Sequence, residues 1–160
     1  MIGKYIPDIY VVSVIDVGCG DLSFWEGRDC AKYLGIDWSE FIIAKNRASR
    51  VGWDFLILPA EQYVPNIKAT VVFCFDLLIH IEKGAAFRKI LKNLCQYSKD
   101  LIFVFGWDDS QKADGQTCFY HSIEEHMNVF QLAGFRLLAT YKFNPQLSGV
   151  IYVFRKEMER

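Results

Sequence analysis

The 160-residue sequence contains no apolar stretch near the roughly 18 residues that a membrane-spanning helix requires. It has no excess of either charge. Its 18 Lys and Arg stand against 19 Asp and Glu, which leaves no basic footprint for duplex nucleic acid or an anionic membrane surface. The five cysteines (Cys19, Cys30, Cys74, Cys95, Cys118) are odd in number and never spaced as Cys-x-x-Cys. They read as free thiols in a reducing compartment, not as a disulfide frame or a zinc site. The three histidines, His80, His121 and His126, show no metal-ligand spacing. The first ten residues carry Lys4, Pro7 and Asp8 and lack a signal-peptide pattern. These absences point to a cytoplasmic protein. What is present is a core: hydrophobic residues make up 52% and charged ones 23%, which excludes disorder. The length suits one domain, 1–160, and no repeat or linker divides it.

Two hydrophobic periods alternate along the chain. Residues 11–16 form a continuous apolar run ending in an acid, the pattern of a strand covered on both faces. Residues 33–37, 54–58, 70–75 and 101–106 read as further strands. Helical spacing covers 39–50, with Phe41, Ile42, Ala44 and Ala48 on one side, and 85–97, through Phe87, Ile90, Leu91 and Leu94. A third helix spans 122–132, where Ser122 and Glu125 make a capping box and Gly134 stands just past the end. Strands 135–143 and 149–155 close the chain, joined by too few residues for a crossover helix and hence an antiparallel hairpin. The alternation predicts a three-layer α/β sandwich.

After the first strand the chain reads Asp16-Val17-Gly18-Cys19-Gly20-Asp21-Leu22-Ser23. The glycine pair permits a tight turn from strand into helix and lets a ligand touch bare backbone. Asp37 lies 17 residues beyond Gly20, about where a Rossmann-type site places the acid that binds ribose hydroxyls. Its alternative role is to start the following helix, although Ser39 can cap that helix equally well. A dinucleotide would set its pyrophosphate at this turn, yet Asp16 and Asp21 crowd it and Ser23 stands where a third glycine would be. Two acids favour a cationic adenosine compound, with a sulfonium and an ammonium and no phosphate, over NAD, FAD or ATP. Cys19 needs no nucleophilic role, because close backbone approach accounts for its place.

The runs VIDVGCG, YLGIDWSE and FCFDLLIHI and the terminal hairpin, in that order from residue 11 to 155, resemble the class I S-adenosylmethionine-dependent methyltransferases. The resemblance implies a seven-stranded, mostly parallel sheet in the order 3-2-1-4-5-7-6, with strand 7 antiparallel, and S-adenosyl-L-methionine as cofactor. It implies that Gly18, Cys19 and Gly20 line the methionine moiety with Asp16 near its ammonium. Asp37 would bind the ribose hydroxyls, Trp38 would lie against the adenine, and Phe75 would sit close to methionine and ribose. Family members often carry an Asp-Ala pair at the end of strand three. Here Pro59-Ala60-Glu61 stands there; the usual acid is missing and Glu61 is the nearest one.

Methyl transfer is an in-line displacement whose leaving group the cofactor supplies, so the protein positions the nucleophile and excludes water. An oxygen acceptor also calls for a base; the candidates are His80, His121 and Asp108, with Asp109 beside it. For His80 the alternative is a hydrogen-bonded structural residue, and His126 reads as a surface residue. No Asn/Asp-Pro-Pro-Tyr/Phe run follows strand four and no Pro-Cys pair occurs, which removes common nitrogen- and pyrimidine-acceptor motifs. The acceptor expected is a small or glycan-like molecule, at oxygen. Residues 107–121 are polar and longer than an ordinary loop, as a lid would be, with Phe119 and Tyr120 towards substrate. Few residues precede the first strand and no insertion forms a cap. The alternative is therefore a catalytically silent cofactor-binding partner subunit, a homodimer, or one domain of a larger methyltransferase.

Overall fold

A computed structural model describes residues 2–107, 117–142 and 149–157. Among them, seven strands form one sheet: β1 (Ser13–Val17), β2 (Lys32–Asp37), β3 (Asp54–Ile57), β4 (Ala69–Cys74), β5 (Ser98–Trp107), β6 (Phe135–Lys142) and β7 (Gly149–Lys156). Their order is β3-β2-β1-β4-β5-β7-β6. The first five are mutually parallel, and β7 runs antiparallel to both β5 and β6. This is the order and the strand polarity that the resemblance implies. No helix among the described residues is long and apolar enough to cross a membrane.

Three helices flank the sheet: α1 (Glu40–Ser49), α2 (Ala85–Tyr97) and α3 (Ile123–Leu132). Alternation along β1 divides the core. Ile15 and Val17 face α2 and α3 together with Leu91, Leu94, Phe130 and Tyr152. Val14 faces the other side, among Trp25, Tyr33, Phe55, Phe73 and Phe103. Helix α2 spans the bounds its spacing predicts, with Phe87, Ile90, Leu91 and Leu94 all buried. In α1 the inward residues are Ile43 and Asn46, whereas Phe41 is 77% exposed. The apolar side expected from Phe41, Ala44 and Ala48 is thus rotated, because the glycine turn and not more core lies under this helix. The first strand also starts later than expected: residues 9–11 form a 3₁₀ turn capped by Asp8, and Val11 is exposed.

The expected helix after β1 is absent. Between β1 and β2 the described chain holds only the 3₁₀ turn Ser23–Trp25. The indole of Trp25, fully buried, fills the space against this face of the sheet. Its ring meets Tyr33 at 5.1 Å, Trp53 at 5.6 Å and Phe73 at 5.6 Å, each edge to face, the arrangement that aromatic quadrupoles favour. One large side chain here covers the sheet where a helix would otherwise lie.

Helix α3 begins with the predicted capping box: Ser122 Oγ accepts from the Glu125 N–H (3.4 Å), and Glu125 accepts from the Ser122 N–H (2.8 Å). It ends before Gly134 at φ +78°. His126 corrects the surface reading. It is fully buried, shares a face with Phe130, and its Nδ1 donates to the Ser122 carbonyl at 2.9 Å. Burial pushes its pKa down to about 4. The unfolded chain therefore binds a proton between about 4 and 6.5 that the folded chain refuses, and this group's contribution to stability rises with pH across that window. Urea unfolding at several pH values should show the stability of wild type relative to His126→Phe rising by roughly 2–3 kcal/mol from pH 4 to 6.5. A pH-independent difference would mean that His126 titrates normally.

Candidate functional site

In an open parallel sheet, ligands bind at the carboxyl ends of the strands where the order reverses, here between β1 and β4. A cavity of about 720 Å³ lies at that point, walled by the segments that leave β1, β2, β3 and β4. The β1 exit supplies Gly18 and Gly20, and the two glycines have different causes. At Gly18, φ is +75° and an added Cβ would come 2.9 Å from Leu77 Cβ, so close packing against the β4 exit excludes a side chain. At Gly20, φ is +51° and nothing lies within 4 Å of an added Cβ, which leaves bare backbone open to the cavity.

The turn is held on several sides. The Gly18 and Cys19 N–H groups donate to the Ile36 carbonyl at 2.8 and 3.1 Å. Asn46, buried on α1, donates through Nδ2 to the Gly20 carbonyl at 2.7 Å. The Gly20 N–H donates to Asp37 Oδ2 at 3.1 Å, and the Ser39 N–H donates to Oδ1 at 2.9 Å. Asp37 is therefore oriented by two backbone donors while lining the cavity. It is not the helix cap, since Ser39 Oγ accepts from the Ile42 N–H.

Around Asp37 the wall is aromatic and acidic. Trp38, 74% exposed, stands at the rim. Ala60 and Glu61 line the β3 side, where Asn93 of α2 donates to the Ala60 carbonyl at 2.9 Å and fixes the segment. Past β4, Phe75 lines the wall with its ring held edge-on by Phe24 at 4.9 Å. Asp76 adopts φ +55° and lines the same wall; partial burial pushes its carboxyl pKa up. Such strained non-glycine positions gather at functional sites. The lining holds Asp37, Glu61 and Asp76 and neither Lys nor Arg among the described residues.

Several expected site residues lie elsewhere. Asp16 is buried on the opposite wall of the turn: its Oδ2 accepts from Trp25 Nε1 at 2.7 Å and Tyr33 Oη at 2.9 Å. Burial pushes its carboxyl up to about 6, opposed by these two bonds. Alternation along β1 points it into the aromatic face, so it is absent from the cavity lining. Cys19 likewise turns inward; its Sγ packs into the core beside Gly35, and burial pushes the thiol pKa far up. Asp21 is exposed, bound by the N–H and Oγ of Ser23, and is absent from the lining. The acidity inferred from Asp16 and Asp21 exists, but Asp37, Glu61 and Asp76 supply it.

His80 lines the cavity. His121 does not: it is 3% exposed, its Nε2 donates to the Leu78 and Ile81 carbonyls at 3.1 and 2.8 Å, and its ring stacks on Phe87 at 3.8 Å. It braces the segment after β4, which is why it cannot meet a ligand. Asp108 and Asp109, and most of the stretch expected as a lid, lie outside the described residues. Asn46 and Asp76 were missed. A polar residue three positions after the buried Ile43 was the available signal for Asn46; backbone strain at Asp76 leaves no trace in sequence.

No protein-family model matches the chain, and no curated protein is similar to it in sequence. Solved structures are similar in fold. N-methyltransferase NodS from Bradyrhizobium japonicum WM9, in complex with S-adenosyl-L-homocysteine, superposes with a TM-score of 0.78 at 11% identity, over 92% of this chain and 80% of that one. Magnesium protoporphyrin IX methyltransferase from Synechocystis PCC 6803 gives 0.75 at 16% identity, over 96% and 78%. An amino pentose methyltransferase from Micromonospora echinaspora, CalS10, gives 0.75 at 14%, over 98% and 87%. At these identities the likeness establishes the fold, the Rossmann-like sheet of class I methyltransferases.

Proposed function

We propose that the protein is an S-adenosylmethionine-dependent methyltransferase whose cofactor occupies the cavity at the ends of β1 to β4. The observation that carries this is Asp37, oriented by the Gly20 and Ser39 N–H groups at the wall of a cavity that, among the described residues, holds three carboxylates and neither Lys nor Arg. A carboxylate oxygen accepts more than one hydrogen bond, so Asp37 retains capacity for two ribose hydroxyls. The residues present fit the cofactor: its sulfonium and ammonium meet negative charge, whereas a pyrophosphate would meet repulsion. Gly18 and Gly20 give the methionine portion bare backbone, Phe75 closes that wall, and Trp38 offers a face to the adenine. Glu61 takes the place of the usual acid after strand three. When bound, the cofactor supplies an electrophilic methyl group on a good leaving group. The chain's own part is to hold, orient and exclude water.

The acceptor in this reading is a small or glycan-like molecule, methylated at oxygen. The acceptor class is supported by the balanced charge and by fold neighbours described as methyltransferases of an amino pentose and of magnesium protoporphyrin IX. Oxygen is supported by the missing nitrogen- and pyrimidine-acceptor motifs alone, since another fold neighbour is an N-methyltransferase. One observation favours a partner subunit as the second reading: Trp38 at the cavity rim and Phe41, three residues on in the sequence, are 74% and 77% exposed, large apolar side chains of the kind that contact other molecules. Transfer from methyl-labelled cofactor to pooled metabolites, glycans, RNA and protein tests both. Label in the small-molecule or glycan fraction is expected. Label only in RNA or protein would refute the acceptor class, and no label despite tight cofactor binding would favour the partner-subunit reading.

A further inference from the structure

Resting on this reading, the question left open is which group takes the proton from an acceptor hydroxyl. The cavity wall past β4 continues into a short 3₁₀ turn, Leu78–His80. Every part of this turn is pinned. The His80 N–H donates to the Leu77 carbonyl at 2.9 Å, and the Phe119 N–H donates to the Ile79 carbonyl at 2.7 Å. His121 Nε2 bridges the Leu78 and Ile81 carbonyls. The His80 ring is fixed too, since its Nδ1 lies 2.9 Å from the Thr117 carbonyl. A carbonyl oxygen can only accept, so Nδ1 carries the hydrogen, and in the neutral ring the lone pair is on Nε2. No group among the described residues bonds Nε2, while the side chain is exposed and lines the cavity. Asp76 lies close enough on the same wall to interact electrostatically with His80. Of the three histidines in the sequence, the other two are buried and bonded to backbone.

We propose that His80 is the general base, taking the acceptor's proton at Nε2 while the Thr117 carbonyl fixes the ring. The arrangement is a base oriented by a third group, with a peptide carbonyl in place of a carboxylate. The step balances. As the acceptor oxygen gains the methyl carbon, the electron pair of the broken carbon–sulfur bond stays on sulfur. The hydroxyl proton goes to Nε2, and the imidazolium returns it to water when the products leave. His121 is a positioning residue: by tying the Leu78 and Ile81 carbonyls together it holds the turn that carries the base.

His80→Asn separates this role from a structural one. Asparagine can still donate to the Thr117 carbonyl but has no atom in the place of Nε2. The expected result is a loss of about 10²–10⁴-fold in label transfer to the pooled small-molecule and glycan fraction, with S-adenosylhomocysteine affinity within twofold of wild type and an unchanged melting temperature. Imidazole nitrogen-15 shifts of the ligand-free protein should show His80 as the Nδ1–H tautomer. A variant that keeps more than a tenth of the wild-type transfer, or an Nε2–H tautomer, overturns the assignment and leaves the methyltransferase reading standing. Wild-type protein that transfers no label overturns both.

Discussion

Trp25→Ala should lower the unfolding free energy by about 3–5 kcal/mol, the range for emptying a fully buried aromatic site. Two losses combine. The indole is fully buried against Tyr33, Trp53 and Phe73 where no helix covers the sheet, so few backbone elements stand ready to collapse into the space. The indole N–H is also one of the two donors to Asp16 Oδ2, and a buried carboxylate deprived of a donor is left with an unmet acceptor. Trp25→Phe divides the two: it retains a ring and should cost about 1–3 kcal/mol, chiefly through the lost hydrogen bond. Chemical denaturation of the three proteins measures both. If Trp25→Ala loses less than 1 kcal/mol, Trp25 does not stand in for a helix.

Gly18→Ala should destabilise by about 2–5 kcal/mol, from a left-handed backbone on a residue with Cβ and from overpacking. The atom an added methyl would strike is Leu77 Cβ, next to the backbone and unable to swing aside. Gly20→Ala is the matched control. Its φ is also positive but the space around it is open, so about 1–2 kcal/mol is expected. Because relief of the Gly18 clash must move the β4 exit, which carries Phe75 and Asp76, Gly18→Ala should also weaken S-adenosylhomocysteine by tenfold or more (about 1.4 kcal/mol). Equal effects at the two glycines in thermal melts would refute the steric account of the turn.

What could be read in the sequence were the features that local pattern encodes. β-branched runs placed the parallel strands, the short link between the last two gave the hairpin, and Ser122 with Glu125 marked a helix start that the structure repeats bond for bond. The place of Asp37 on the cavity wall was legible because its distance from the glycine pair is imposed by one strand–turn–strand unit. What could not be read depends on contacts distant in sequence. Asp16 was placed near the ligand from adjacency to the turn, yet strand alternation turns it towards Trp25 and Tyr33, donors 9 and 17 residues away. Trp25 lies in a stretch without helical or strand period, so nothing marked it as the plug of one face. His126 was placed on the surface because it is polar. Its spacing four residues before the buried Phe130 was the overlooked sign that it shares the inner face.

Calorimetric titration of S-adenosylhomocysteine into wild type and Asp37→Ala, with NAD as the comparison ligand, tests most directly whether Asp37 makes this cavity a cofactor site. Asp37 presents a carboxylate already oriented by two backbone N–H groups, and removing a charged acceptor of hydrogen bonds costs about 1.5–3 kcal/mol. The account predicts that loss in affinity for Asp37→Ala, with a smaller loss of stability because Ser39 still caps α1. It also predicts NAD binding to wild type at least tenfold weaker, or about 1.4 kcal/mol, since a pyrophosphate at the glycine turn would enter a cavity whose described lining has three carboxylates and neither Lys nor Arg. An Asp37→Ala protein that binds S-adenosylhomocysteine as wild type does, or a wild type that prefers NAD, would contradict it.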